Sequence, residues 1–348
     1  MDRAPFKRLG RLFGQVGTAR QLFWPLATLG ALLLISVIVQ PGFLRLGWAG
    51  GHLHGNLIDV LNRAAPLMLV AIGMTLVIAI RGLDISVGAV VAISAAAAAL
   101  LIRGSVDAGA AAQPGLFPLG VAVAGALAAA MLCGLWNGLL IVNVGMQPIV
   151  ATLILMVAGR GVAQLITDGQ ILTLYYTPYF YIGNGYLLGL PFASVMVAAV
   201  AAVASLALTR TALGLFVRSI GINPVAARVA GVRSRLITVC LYVFCGFTAG
   251  LAGLIISSNV KSADGNNAGQ LMELDAILAV ALGGTALTGG RFSLAGSIVG
   301  ALIIQTLTSM IYSSGLPPEV NLVVKAVLVF AVMLLQSPEF RGRVRAFF

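Results

Sequence analysis

Leu236-Ile-Thr-Val-Cys-Leu-Tyr-Val-Phe-Cys-Gly-Phe-Thr-Ala-Gly-Leu-Ala-Gly-Leu-Ile-Ile-Ser257 runs for 22 residues without a charged side chain, directly after Arg233-Ser-Arg235. A helix of roughly 20 apolar residues is what crosses a bilayer's hydrocarbon core, where every backbone polar group must be satisfied within the segment. Nine further apolar runs lie at 22–39, 64–80, 85–102, 117–143, 148–166, 190–208, 274–288, 293–312 and 320–336. Apolar residues make up 60% of the 348 and charged residues 9%, against about 25% charged in a soluble domain. The predicted fold class is an all-α integral membrane protein of about ten transmembrane helices. Residues 1–348 form a single transmembrane domain, with a basic leading segment at 1–21 and a long polar insertion at 209–235.

The charge pattern orients the spans. Alternating sides from an inside amino terminus puts fifteen basic residues inside: Arg3, Lys7, Arg8, Arg11, Arg20, Arg81, Arg210, Arg218, Arg228, Arg233, Arg235, Arg291, Arg341, Arg343 and Arg345. Four fall outside, namely Arg45, Arg63, Arg103 and Lys261. Cytoplasmic loops carry the excess of Lys and Arg, so both termini are expected in the cytoplasm. The first run has a longer core than a signal peptide and no small-residue cleavage site, so it is expected to stay as a span. Pro41-Gly42, Pro114-Gly115, Gln147-Pro148 and Pro317-Pro318 punctuate the run boundaries. Two pairs of runs, within 57–102 and 274–312, are joined by tight Gly-rich turns, so either pair can hold a broken or re-entrant helix.

Several functions are excluded. The net charge of +11 is spread over short gaps, with no basic stripe interleaved with aromatics, so nucleic acid is not a partner. Cys133, Cys240 and Cys245 all lie inside apolar runs and are expected as buried structural thiols. His52 and His54 have no nearby acidic or Cys partner and are expected as loop residues; no metal site is predicted. There is no GxxxxGK[ST] phosphate loop, no H-E-x-x-H and no Ser-His-Asp constellation. No catalytic residue and no cofactor of this chain's own are predicted. If energy is used, a partner must supply it.

Three segments carry a resemblance. They are Gly73-Met-Thr-Leu-Val-Ile-Ala-Ile-Arg-Gly-Leu-Asp-Ile-Ser-Val-Gly88, Gly221-Ile-Asn-Pro-Val-Ala-Ala-Arg-Val-Ala-Gly231, and Glu273-Leu-Asp-Ala-Ile-Leu-Ala-Val-Ala-Leu-Gly-Gly284 with Gly289-Gly290. Together the sequence resembles, from about Asp59 to Ser337, the permease family of bacterial carbohydrate ABC importers of the ribose and galactose type. Asn62-Arg-Ala-Ala-Pro66, Val150-Ala-Thr-Leu-Ile-Leu-Met-Val-Ala-Gly-Arg-Gly161 and Asn266-Asn-Ala-Gly269 are closest to galactofuranose-importer permeases. The resemblance implies a type II importer-like permease fold and a half-channel that pairs with a second permease subunit. It also implies separate ATP-binding subunits that carry ATP and Mg, and a periplasmic sugar-binding protein. The same family includes permeases for ribose, other pentoses and branched-chain amino acids.

Without ATP-binding residues, a permease has to receive its motor's movement through a cytoplasmic surface. Gly221, Asn223, Ala226, Ala227, Arg228 and Gly231 fit a short coupling helix, with small residues for close seating and Arg218, Arg228, Arg233 and Arg235 for acidic groups. ABC permeases carry an E-A-A-x-x-x-G motif in such a loop; here Val225 stands where the Glu belongs and the glycine comes one residue late. Arg81, Asp84, Ser86 and Gly88 have two readings. In a cytoplasmic turn, Arg81 and Asp84 are solvated and Asp84 or Ser86 caps the next helix; in a re-entrant segment, a half-helix start points into the pathway. Gly283-Gly-Thr285 through Arg291 to Gly296-Ser297 weakly echoes Gly73-Met-Thr75 through Arg81 to Gly88-Ala89.

Polar side chains within spans are costly and face a cavity or another helix. Asn62, Asn137, Gln147, Arg160, Gln164, Gln305 and Lys325 are therefore candidates for the substrate path. Lys261, Asp264, Glu273 and Asp275 fall outside, where a binding protein would dock. An ion-coupled secondary transporter needs a mid-membrane carboxylate, and the interiors of the ten runs hold none. A membrane-embedded enzyme would need a nucleophile and base near a span end.

Overall fold

The computed structural model describes residues 4–40, 42–102, 117–315 and 318–336. Pro41, Pro114, Gly115, Pro317, Arg3, Arg103, Arg341, Arg343 and Arg345 lie outside the described residues, as do the side chains of Lys7, Arg8, Arg11 and Arg20. The chain starts with α1 (Ala4–Val39), of which the predicted first span is the second half. A hairpin of β1 (Gly47–Ala49) and β2 (His52–His54) leads to α2 (Asn56–Ala79) and α3 (Val87–Ile102). Next come α4 (Leu119–Leu139), prolonged by a π-turn over Leu140–Val144, and α5 (Pro148–Ile166). The segment that follows holds β3 (Ile171–Thr173), α6 (Thr177–Asn184), β4 (Tyr186–Leu187) and β5 (Leu190–Pro191). Then follow α7 (Phe192–Arg210), α8 (Leu213–Ile222), α9 (Pro224–Val229) and α10 (Ser234–Val260). β6 (Ser262–Asp264), α11 (Met272–Leu282), α12 (Leu294–Ser313) and α13 (Pro318–Gln336) complete the fold.

A helix stands in each of the ten predicted runs. Among the described residues, seven helices are long and apolar enough to cross a membrane. Packing sorts them as lipid does. α10 lies at the centre against α2, α3 and α4, seated by glycines that bring backbones into contact: a Cβ on Gly134 would meet Tyr242 O, on Gly246 Ala130 O and on Gly253 Val91 O. Small residues at such interfaces let dispersion forces act where lipid gives no hydrophobic gain. α4, α5 and α7 instead show much of their apolar surface, including Leu132, Val157, Leu165 and Val203.

Two elements are too short to span. At 1.5 Å per residue, the 16 residues of α3 reach about 24 Å and the 11 of α11 about 16 Å, against a core of about 30 Å. Each starts part-way through the protein. The non-helical stretch before α3 lies beside α10, where Tyr242 Oη donates to Leu83 O at 3.3 Å, about 12 Å from the inner end of that helix. The stretch before α11 also runs inward: Gly265 packs on Ala163 and Gln164, and Gly269 on Gly88 O and Val91. Both regions thus hold a short helix behind a non-helical stretch, and the starts of α3 and α11 meet at Gly88, Gly269 and Glu273.

The connections gather at two ends. At one, β3 pairs with β6 (Ile171 with Asp264, Thr173 with Ser262), and Leu53 N donates to Gly189 O at 3.0 Å. At the other, Gly290 N donates to Ala79 O at 2.9 Å. These are the predicted outside and inside segments respectively. Two expectations are corrected. His52 and His54 belong to a strand, with the His52 ring stacked on Tyr186 at 3.9 Å between centroids, not to an irregular loop. Of the three thiols, Cys245 is buried and Cys133 half-buried, but Cys240 is exposed on α10.

Candidate functional site

The 209–235 segment folds as a helical hairpin. Thr211 Oγ1 accepts from Leu213 N at 3.2 Å and starts α8. Asn223 Oδ1 accepts from Val225 N and Ala226 N, both at 3.0 Å, and caps α9, while Pro224 fills the first helical position, where no N–H is needed. Val232 N closes on Ala227 O at 3.0 Å across Gly231, whose φ of 83° ends the helix in the left-handed region. α8 is fastened to the inner end of α2: Arg81 Nε donates to Gly221 O at 2.6 Å and Nη2 donates to Ile222 O. A Cβ on Gly221 would strike Ala79 O and the Gly290 backbone.

These contacts divide the predicted coupling residues. Gly221 and Ala227 face inward, Ala227 packing with Leu76, Val217, Ile220 and Leu241. Asn223 and Gly231 set backbone geometry. Ala226 and Arg228 are exposed, and beside them Ile222, Val225 and Val229 stand 65%, 67% and 85% exposed. The hairpin thus shows an apolar ridge rimmed by arginine, next to a cavity of about 300 Å³ lined by Arg81, Arg228, Arg235 and Tyr242.

Asp84 is buried, which overturns its reading as a solvated helix end. Its Oδ1 accepts from Ser86 N at 3.0 Å and Ser86 Oγ at 2.6 Å, and Asn137 Nδ2 donates to Ser86 Oγ at 2.8 Å. Tyr242 and Leu83 close the space beneath. The cluster ties the turn before α3 to α4. A buried carboxylate needs that many donors to stay in place.

The remaining candidates fall in several places. Arg160 Nη1 donates to Ala268 O at 2.6 Å, and Gln164 Nε2 donates to Asn266 Oδ1 at 2.5 Å, joining α5 to the stretch before α11. Asn62 Nδ2 donates to Gly183 O at 3.2 Å. Gln147 is exposed at the start of α5. Lys325 Nζ bonds Asp275 Oδ2 at 2.8 Å. The docking expectation is corrected for Glu273, which is 3% exposed, packed against Gly88 and out of reach of a soluble partner; Asp275 is engaged by Lys325. Lys261, over the Phe180 ring at 5.1 Å, and Asp264 stay in the outer segment. Partial burial pushes the Asp264 carboxyl up, but bonds from Asn267 and from the Asn266 and Asn267 amides, with the Arg160 charge, hold it below its ordinary value. Arg63 and Gln270 were not singled out, yet with Gln305, Asp275 and Asn267 they line a cavity of about 240 Å³. Arg63 escaped because the apolar run begins one residue after it, although α2 starts at Asn56.

Residues 56–333 match the family described as the permease component of the branched-chain amino acid transport system. The chain belongs to this permease family. It is therefore a multi-pass membrane transport subunit and not an enzyme, and its relatives are permeases that import sugars. It is 48% identical over 328 residues to the galactofuranose transporter permease protein YtfT of Escherichia coli (strain K12), covering 92% of each chain. It is 35% identical over 342 residues to the fructose import permease protein FruF of Bifidobacterium longum (strain NCC 2705), covering 97% of this permease and 93% of that one. The ribose import permease protein RbsC of Bacillus subtilis (strain 168) is 35% identical over 317 residues, 90% and 92% of the two chains. No solved structure matches this permease.

Proposed function

We propose that this permease forms one half of the channel of an ATP-driven inner-membrane importer for a monosaccharide, galactofuranose or a closely related sugar. The observation that carries the coupling part is the Ile222–Val225–Val229 ridge, apolar side chains exposed on a polar hairpin beyond the end of the spans. Such a ridge favours a partner's groove over water, and the Arg81 bonds to Gly221 and Ile222 give it a rigid path to α2. ATP and Mg sit on the partner ATPase subunits, which hold this ridge. A second permease subunit, identical or homologous, completes the channel, and a periplasmic binding protein delivers the sugar at the end built from β3 and β6. Both termini are cytoplasmic, in keeping with the fifteen-to-four split of basic residues.

The sugar assignment rests on the names of the relatives. It is supported by Gln305, eight residues inside the end of α12, whose amide donor and acceptor suit hydroxyls. The test is uptake of labelled galactofuranose, ribose and fructose by cells that make this permease with its ATPase and binding protein. Galactofuranose should accumulate fastest. Accumulation of branched-chain amino acids and of none of the sugars would overturn the reading.

A further inference from the structure

We infer that this permease holds a sugar subsite inside a single subunit, in the cavity bounded by α2, α11 and α12. Arg63, Asn267, Gln270, Asp275 and Gln305 converge there from four parts of the chain, with Lys325 on Asp275 at its edge. At about 240 Å³ it holds the equivalent of about eight waters, a volume that suits one monosaccharide. Among the described residues, the side chains of Arg63, Gln270 and Gln305 have no hydrogen-bond partner within the protein. Arg63 and Gln270 are exposed and Gln305 half-buried, so all three can turn to a solute that enters the space. Donors and acceptors are both present, and Ile256, Leu67 and Met272 supply an apolar wall, the mixed lining that a sugar's hydroxyls and C–H faces need.

A second cavity, of about 170 Å³, shares Arg63 and continues to Asn56, Asp59 and Tyr312 at the outer ends of α2 and α12. The subsite therefore has a polar approach from the side on which the binding protein is proposed to dock. Its deep end argues for a solute over a phospholipid headgroup. Gln305 lies eight residues, about 12 Å, below the end of α12, deeper than the headgroup layer. The proposal rests on the sugar-import reading and adds the place where the sugar pauses.

The test uses membrane vesicles carrying the permease with its ATPase and supplied with the binding protein. Gln305→Leu and Gln270→Leu should each lower galactofuranose uptake about tenfold, the loss of one or two hydrogen bonds. Both should still co-purify with the ATPase, and Gln305→Asn should restore part of the uptake. In Gln305→Cys vesicles, galactofuranose should slow alkylation of the new thiol. Normal uptake by both Leu variants, or alkylation indifferent to the sugar, overturns the subsite. A phospholipid that co-purifies with the unaltered protein and is lost from Arg63→Ala would also overturn it, marking a headgroup site. If the unaltered permease imports no sugar, the broader reading fails, and the vesicle assay separates that result from failure of the subsite.

Discussion

Asn137 and Gly221 show how single side chains hold this molecule together. Asn137 supplies a donor to the Asp84–Ser86 turn from a fully buried position. Asn137→Leu fills a similar space but leaves those acceptors short, at a cost of about 1–3 kcal/mol; the purified variant should melt earlier, and an unchanged midpoint would contradict the role given to the cluster. Gly221 has no room for a methyl group because what it would meet is backbone on two other segments. Gly221→Ala should lift α8 from α2 and weaken coupled uptake, with overpacking worth about 1–3 kcal/mol. Asn137 was legible as a polar residue in an apolar run, and Asp84 as part of a motif. Their meeting was not legible, because they are 53 residues apart and no spacing rule joins them. Arg63 was hidden for the opposite reason: a charged residue at a run's edge reads as loop.

Among the elements, α9 makes the sharpest claim. Val229 is exposed, so Val229→Asp should leave the fold and the membrane yield untouched while the ATPase no longer co-purifies and uptake stops. If that variant assembles and transports normally, the ridge is not the coupling surface. Ala227→Trp would be a poor probe, since it would disrupt this chain's own core before any interface. Arg81→Ala should have a different signature: the ATPase still binds, but its turnover no longer drives uptake, because two charge-assisted bonds from the hairpin to α2 are gone. The 209–235 segment was legible as a polar insertion between spans from its composition, small residues and arginine. The direction in which each small residue points was not, since that depends on contacts with α2, α8 and α10. Likewise the apolar runs located α3 and α11, whereas their broken starts emerged only from Gly88 and Gly269 meeting across the fold. The β-hairpins had no apolar period to announce them.

As a whole molecule, the permease is an apolar helical bundle around α10 with the α8–α9 hairpin at one end and paired strands at the other. Class and span positions followed from the apolar runs, because the bilayer imposes a length rule directly. The cavities did not, as they depend on how four separated segments pack. The central claim is that ATP hydrolysis on a partner drives a monosaccharide through this chain by way of α9. It is tested most directly by labelled galactofuranose uptake into proteoliposomes containing the permease, its ATPase and the binding protein. The account predicts accumulation that requires ATP and disappears with Val229→Asp. Accumulation that persists without ATP, or an unaltered assembly that moves no sugar at all, would contradict it.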